Sequence, residues 1–346
     1  MRRLSLPLAV AFVFLSLPAV CASGSRPAFR DTVSVLVIGD VMMHSRQMEY
    51  DCSTFLKYVA PRMREADFCI ANMEFPLGGK PYAGYPAFSV PDYYADYVAS
   101  CGVNVFLMAN NHILDRGPAG LKRTADRYSR LADSLGIGYA GLNNQTLYLK
   151  KADMMVALIN FTYGTNSTVE GEMKVNRMDR AAVGEEIECA AEDADFVVAL
   201  PHWGDEYVLR HNQVQEEWAS WLVSEGVDAI VGCHPHVVQD STHIDGVPVI
   251  FSVGNAVSNM SAINTRLELA VTLRFVHDWT TDKVRMLEPQ LDFMWCTLPG
   301  TLTDSYATIF VDEWIGRRDE WKQPSDYDNM MTTLKRVRSE TGIGAE

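Results

Sequence analysis

Basic residues are scarce relative to acidic ones: 30 Lys and Arg stand against 44 Asp and Glu, a formal net charge of −14 over 346 residues. That balance argues against a general binder of nucleic acid or of anionic membranes, both of which recruit a cationic face. Beyond the first residues, no stretch approaches the ~20 consecutive apolar residues that a membrane-spanning helix needs. The cysteines show neither a C-x-x-C redox pair nor the spacing of a zinc ribbon. Internal repeats, low-complexity tracts and linkers are also missing, so nothing calls for a second domain. With 48% hydrophobic and 21% charged residues, the chain can bury a sizeable core.

What is present begins with Arg2 and Arg3 ahead of an apolar run from Leu4 to Val20, followed by small residues around Ala22. This pattern predicts a signal peptide over 1–22 and an exported protein, periplasmic or in the cell envelope. Lipid anchoring at Cys21 is the lesser alternative, because Val20 is bulkier than the residue that usually precedes a lipidated Cys. Export permits disulfides among Cys52, Cys69, Cys101, Cys189, Cys233 and Cys296, but their scatter through apolar segments suits buried free thiols equally.

Along the rest of the chain, short apolar runs alternate with helical spacing. Strands are predicted at Ser34 to Ile38, Phe68 to Ala71, Val103 to Met108, Met155 to Ile159, Phe196 to Leu200 and Val227 to Val231. Helical patterns fall between them at Phe55 to Met63, Pro91 to Ala99, Gly120 to Leu135 with Gly136 as its C-cap, and Glu216 to Val223. Such alternation predicts an α/β fold. Towards the C-terminus, Leu267 to Phe275 and Val284 to Phe293 read as strands, and Ile309 to Arg317 and Tyr327 to Arg338 as helices.

Five of the apolar strands run into residues able to bind metal or water: Asp40, Glu74, Asn111 with His112, His202, and His234 with His236. Ligands gather at the carboxyl ends of strands in open α/β sheets, so these endings are expected to converge. His234-Pro235-His236 carries the strongest single hint, since an extended H-x-H would present both rings on one face. Oxygen and imidazole donors together suit Zn, Mn or Fe better than Ca. A pair of such ions polarises a phosphoryl or carbonyl oxygen and acidifies a bridging water. His112 can instead serve as general acid, and Asp115 can orient its ring or simply cap the following turn.

The segments GDVMMH (39–44), ANMEFPLG (71–78), ANNHILDRG (109–117), FTYGTN (161–166), HWGDEY (202–207), GCHPHVVQ (232–239) and FSVGNAVSN (251–259) resemble, in order, the motifs of the CapA family of bacterial capsule and poly-γ-glutamate synthesis proteins. The resemblance spans roughly Val33 to Asn259. It implies a calcineurin-like metallophosphoesterase domain over 32–300, a four-layer sandwich of two mixed β-sheets flanked by helices, with 301–346 as a C-terminal helical extension. It also implies two divalent metal ions held by Asp40, the bridging Glu74, Asn111, His202, His234 and His236, with His112 and Asn111 catalytic. The usual first-strand D-x-H is absent, because His44 follows Asp40 by four residues, which leaves His44 open as a ligand. Ala256 stands where the family usually has Phe, Cys233 where His or a small residue is frequent, and Asp240 where Pro is usual. These departures suggest a changed substrate shape more than lost metal binding.

Five further positions stay open between site and scaffold. Glu206 reads as a substrate contact or an exposed loop acid, and Asn255 as a residue closing the site. Trp203, Tyr207 and Tyr163 read as stacking surfaces for substrate or as packing under their loops. The expected function is the synthesis, export or anchoring of an anionic envelope polymer, by a metal-dependent hydrolase or transferase acting on a phosphoester or amide bond. Membrane-bound polymer synthesis or export machinery is the expected partner. The alternative is a non-catalytic component that binds polymer on the same scaffold.

Overall fold

The computed structural model describes residues 30–169 and 171–344. The predicted signal peptide and Cys21 lie outside the described residues. The first strands in chain order are β1 (Arg30–Val41), β2 (Phe68–Met73), β3 (Val105–Leu107), β4 (Gly138–Ala140), β5 (Leu147–Lys151), β6 (Met154–Thr162), β7 (Phe196–His202) and β8 (Ala229–Val231). They are followed by β9 (Ser241–Ile244), β10 (Val247–Ile250), β11 (Asn255–Val257), β12 (Leu267–Asp278), β13 (Lys283–Met286), β14 (Gln290–Thr297) and β15 (Ala307–Phe310). The helices are α1 (Ala60–Glu65), α2 (Asp92–Ser100), α3 (Gly117–Leu135), α4 (Arg180–Asp193), α5 (Gln213–Ser224) and α6 (Pro324–Thr341).

Two sheets result. The first runs β15-β14-β12-β1-β2-β3-β4, with β11 also on β1 and β13 on β12; the second runs β5-β6-β7-β8-β10-β9. In the first sheet parallel β1 to β4 form one half and antiparallel β12, β14 and β15 the other; in the second, parallel β6, β7, β8 and β10 are flanked by antiparallel β5 and β9. Strand alternation sorts the side chains into layers. Val33, Val35 and Val37 of β1 meet Val156 and Leu158 of β6 and Val198 and Leu200 of β7 between the sheets. Leu36 and Ile38 face outward to Tyr94 and Val98 of α2 and Leu121 and Tyr128 of α3. On the opposite face, Ile159, Val197 and Ala199 pack on Val183 and Ile187 of α4 and Leu222 of α5. The layers are therefore helix, sheet, sheet and helix, the sandwich that the resemblance implies.

Helix ends follow local chemistry. Asp179 accepts from the Ala181 and Ala182 N–H groups to cap α4, Asn212 and Gln215 form a capping box on α5, and Gly136 closes α3 in the left-handed region at φ +70°.

Several boundaries differ from the sequence expectation. Residues 55–63 are helical only from Ala60, after a tight turn at Cys52–Thr54. The expected strand Val284 to Phe293 is two strands, β13 and β14. Ile309 to Arg317 is not one helix: β15 pairs with β14, placing Ile309 opposite Trp295, and only a single 3-10 turn at Asp312–Trp314 follows. Residues 301–346 are accordingly not an extension. β15 is the edge strand of the first sheet, and Met330, Leu334 and Val337 of α6 belong to the core between the sheets. The six cysteines within the described residues are all free thiols. No helix among the described residues is long and apolar enough to cross a membrane.

Candidate metal centre

The centre lies where the parallel strands of both sheets end. β1 delivers Asp40 and is locked beside β11 by the bond from Asp40 N–H to Gly254 O at 3.0 Å. The approach requires glycine next door, because a Cβ on Gly39 would fall 1.8 Å from Gly254 O. β2 delivers Asn72 and, immediately beyond it, Glu74, whose N–H is held by Val41 O at 3.1 Å. The loop after β3 carries Asn111 and His112, β7 ends on His202, and the turn after β8 carries His234 and His236.

That last turn corrects the reading of His-Pro-His as extended. His234 has φ +101° and His236 φ +58°, so the backbone curls through the left-handed region and the rings do not alternate as on a strand. Both rings still reach the centre, 5.9 Å apart. Such φ values are costly for non-glycine residues and persist only where the surroundings enforce them. One enforcing contact is visible here: His234 N–H donates to Asp40 Oδ2 at 3.2 Å.

Two groups of donors form. Asp40, Glu74 and His202 make one, Glu74, His234 and His236 the other, each with its ligand atoms within 4.8 Å of one another. Glu74 belongs to both, its Oε1 lying 3.8 Å from His202 Nε2 and 3.8 Å from His236 Nε2. Asn111 Oδ1 lies 2.9 Å from His202 Nε2. His112 is turned the other way, with Nδ1 2.7 Å from Asp115 Oδ2. Because a carboxylate only accepts, Nδ1 carries the proton and Nε2 is left for the cleft that His112 lines.

The electrostatics mark Glu74 as the residue out of balance. It is fully buried and neither carboxylate oxygen has a hydrogen-bond partner. Burial, then the charge of Asp40, raises its carboxyl well above the ordinary range. Asp40 shows the opposite result. Burial would raise it, but the hydrogen bond from His236, the neighbouring His202 and His236 rings and the Asn72 amide together hold it lowered. Burial pushes His202 down to about 3, against the pull of Asp40, and pushes His234 well below its usual value. Both are thus neutral imidazoles, the form that ligates metal. His234 Nδ1 is also buried without a partner. An orphaned carboxylate beside the neutral His202 and His234 rings fits divalent cations, which supply the missing charge and coordination.

The remaining expected positions sort by contact. Asn255 Oδ1 lies 2.9 Å from His236 Nδ1 and its amide donates to Thr265 O at 2.9 Å, so it fixes the His236 ring. His44 belongs to neither donor group. Its Nδ1 faces Gln47 Oε1 at 3.1 Å, and burial lowers it to about 4. Trp203 is a correction: it is buried, its indole N–H donates to Phe251 O at 2.9 Å, and it packs between the second sheet and its helices, out of a substrate's reach. Tyr163 lies over His234 with ring centroids 4.6 Å apart, and Tyr207 lies 6.4 Å from His236. Glu206 is exposed and lines the cleft.

Sequence reasoning missed four residues. Asn72 donates to Asp40 Oδ1 at 2.7 Å and lies 3.2 Å from His202 Nδ1; Asn110 donates to Asn72 Oδ1 at 3.1 Å. Both sit inside quoted segments next to named ligands, where an amide at an apolar strand end was the available signal. Phe88 packs edge-on to His112 at 4.7 Å and Tyr85 at 6.4 Å. These two come from a loop that no strand-end argument reaches.

The family model described as bacterial capsule synthesis protein PGA_cap matches residues 34–260. The chain belongs to this family. It is 27% identical over 258 residues to the capsule biosynthesis protein CapA of Bacillus anthracis, covering 68% of this chain and 62% of that protein. It is 27% identical over 254 residues to the PGA biosynthesis protein CapA of Bacillus subtilis strain 168, covering 68% and 66%. The chain therefore spans slightly less than two thirds of each relative's length. In shape it is similar to a phosphatase from Mycoplasma pneumoniae, with a TM-score of 0.44, 14% identity, and coverage of 77% of this chain and 94% of that one. All the donor residues of this family member, from Asp40 to His236, fall inside the matched segment, whereas β15 and α6 fall beyond it.

Proposed function

We propose that the chain is an exported protein that takes part in the synthesis, export or anchoring of an anionic capsule or poly-γ-glutamate-type polymer, and that it does so as a dinuclear-metal-dependent hydrolase or transferase. The observation that carries this reading is Glu74, a buried carboxylate shared by two donor groups and otherwise unpartnered. Asp40, Glu74, Asn111 and His202 would hold one divalent ion and Glu74, His234 and His236 the other, with Zn, Mn or Fe suited to these donors. When bound, such ions polarise a phosphoryl or carbonyl oxygen and lower the pKa of water.

The chain's own residues supply the rest. Asp115 accepts from His112 Nδ1–H, and a doubly protonated His112 would pass its Nε2 proton to the leaving group at the mouth of the centre. Asn72 and Asn255 fix Asp40 and His236 in place. Export rests on Arg2, Arg3 and the apolar run that follows, and the partner proposed is membrane-bound polymer synthesis or export machinery.

The test is elemental analysis of purified protein joined to assays on a generic phosphoester and on a γ-glutamyl oligomer. Two equivalents of transition metal, and turnover abolished by Asp40→Ala and His236→Ala, are expected. Metal binding without turnover on any phosphoester or amide would replace the enzyme with a polymer-binding component.

A further inference from the structure

The cleft above the centre has a volume of about 350 Å³, and its mouth is made of different material from its floor. The floor is imidazole, from His44, His112 and His236. At the mouth stand Tyr85, Glu206, Tyr207 and Met260, and no Lys or Arg is among the described residues lining it. Three phenol rings border three of the buried imidazoles: Tyr85 lies edge-on 6.4 Å from His112, Tyr207 6.4 Å from His236, and Tyr163 4.6 Å from His234. They are 71% (Tyr85), 49% (Tyr207) and 49% (Tyr163) exposed, so a large part of each is open to a ligand. Glu206 sits among them. Its carboxylate neighbours the Tyr207 hydroxyl, and its charge reaches Tyr163, His236 and Glu74.

We propose that this mouth recognises an ammonium group on the ligand whose reacting bond reaches the centre. Glu206 supplies the countercharge, and the faces of Tyr85, Tyr163 and Tyr207 supply cation–π attraction, the combination that binds organic cations. A run of carboxylates or phosphates would meet Glu206 as a like charge and find no side-chain cation to answer it. An anionic peptide-type polymer is therefore taken by its amino end, not by its pendant carboxylates. This inference rests on the reading of the centre as a substrate site. The same ammonium chemistry occurs at the amino end of a peptide-linked polymer and on an amino-alcohol phosphoester.

Calorimetric titration of the metal-loaded protein with two matched pairs tests it. One pair is a γ-linked oligoglutamate with a free amino end and its N-acetylated twin; the other is O-phosphoethanolamine and ethyl phosphate. The amine is expected to bind at least tenfold tighter than its twin in one pair, and that pair identifies the source of the ammonium. Glu206→Gln should erase the preference by weakening the amine, while the anionic twin, relieved of a like charge, binds no more weakly than before. Tyr85→Leu and Tyr163→Leu should each weaken the amine about two- to fivefold. Glu206 is exposed, so these variants are expected to melt with the parent, which a thermal scan verifies. Equal or weaker binding of the amine in both pairs overturns the proposal. So does a Glu206→Gln variant that binds the twin more tightly and the amine unchanged, since Glu206 would then only repel anions. A persistent ammonium preference without turnover of any substrate upholds the proposal and sinks the hydrolase reading instead.

Discussion

His112 Nδ1 and Asp115 Oδ2 lie 2.7 Å apart, and the same carboxylate oxygen accepts the Phe88 N–H at 2.7 Å. Asp115 thus ties the His112 ring to the loop that forms the cleft's wall and fixes which nitrogen is protonated. His112→Ala should lower turnover about 10²- to 10⁴-fold, the usual worth of a positioned acid. Asp115→Asn should reproduce part of that loss by releasing the ring. Since neither residue belongs to the two donor groups, both variants should keep their metal. Turnover and elemental analysis on the same preparations decide it, and metal lost in step with activity would make His112 a ligand instead.

Glu74 should separate stability from function. Its carboxylate is buried with both oxygens unpartnered, a state that costs folding free energy unless a cation is bound. Glu74→Gln is expected to melt at or above the parent in the presence of a chelator. With metal at 100 times its Kd the parent should gain about 2.7 kcal/mol, and the variant should gain little. Thermal melts with and without Zn or Mn give both numbers. A variant that is less stable without metal yet still responds to it would remove Glu74 as the shared ligand.

The strand ends were legible because short apolar runs, such as the one that contains β8, alternate with helical spacing, and a polar residue closing each parallel strand must emerge at the same edge of its sheet. What was not legible depends on distant neighbours. Nothing local shows that His234 and His236 are forced to positive φ, because the force comes from Asp40, far away in sequence. The apolar stretch around Ile309 fits a strand or a helix equally until β14 is present to pair with it. Trp203 sits between a ligand and a cleft acid in sequence, yet strand alternation turns it to the opposite face. Tyr85 and Phe88 reach His112 only through the folding of their loop.

Arg266 and Asp326 make a buried bidentate pair, with both N–O distances 2.7 Å, that fastens α6 to the start of β12. Arg266 also donates from Nε to Cys296 O at 2.8 Å, and its guanidinium lies 4.4 Å over Trp295. Removing one partner strands a buried charge, so Asp326→Ala should destabilise the fold by about 3–5 kcal/mol in denaturant titrations. A chain ended at residue 300 loses β15 and α6 and should not fold cooperatively. Cooperative unfolding of that shortened chain would restore the C-terminal segment as a separable extension.

Glu186 should set a pH dependence of stability remote from the centre. It lies on the packed side of α4 with Oε1 unpartnered, and burial raises its carboxyl from 4.5 to about 7. Between those values the folded chain holds a proton that the unfolded chain releases, so stability falls as pH rises through this window. The contribution is complete below about 4.5 and is lost by the time pH passes about 7. Glu186→Gln keeps the shape and removes the titration. Its melting temperature should be close to that of the parent at pH 5 and above it at pH 8, whereas an offset constant across that range would show that Glu186 does not titrate on unfolding.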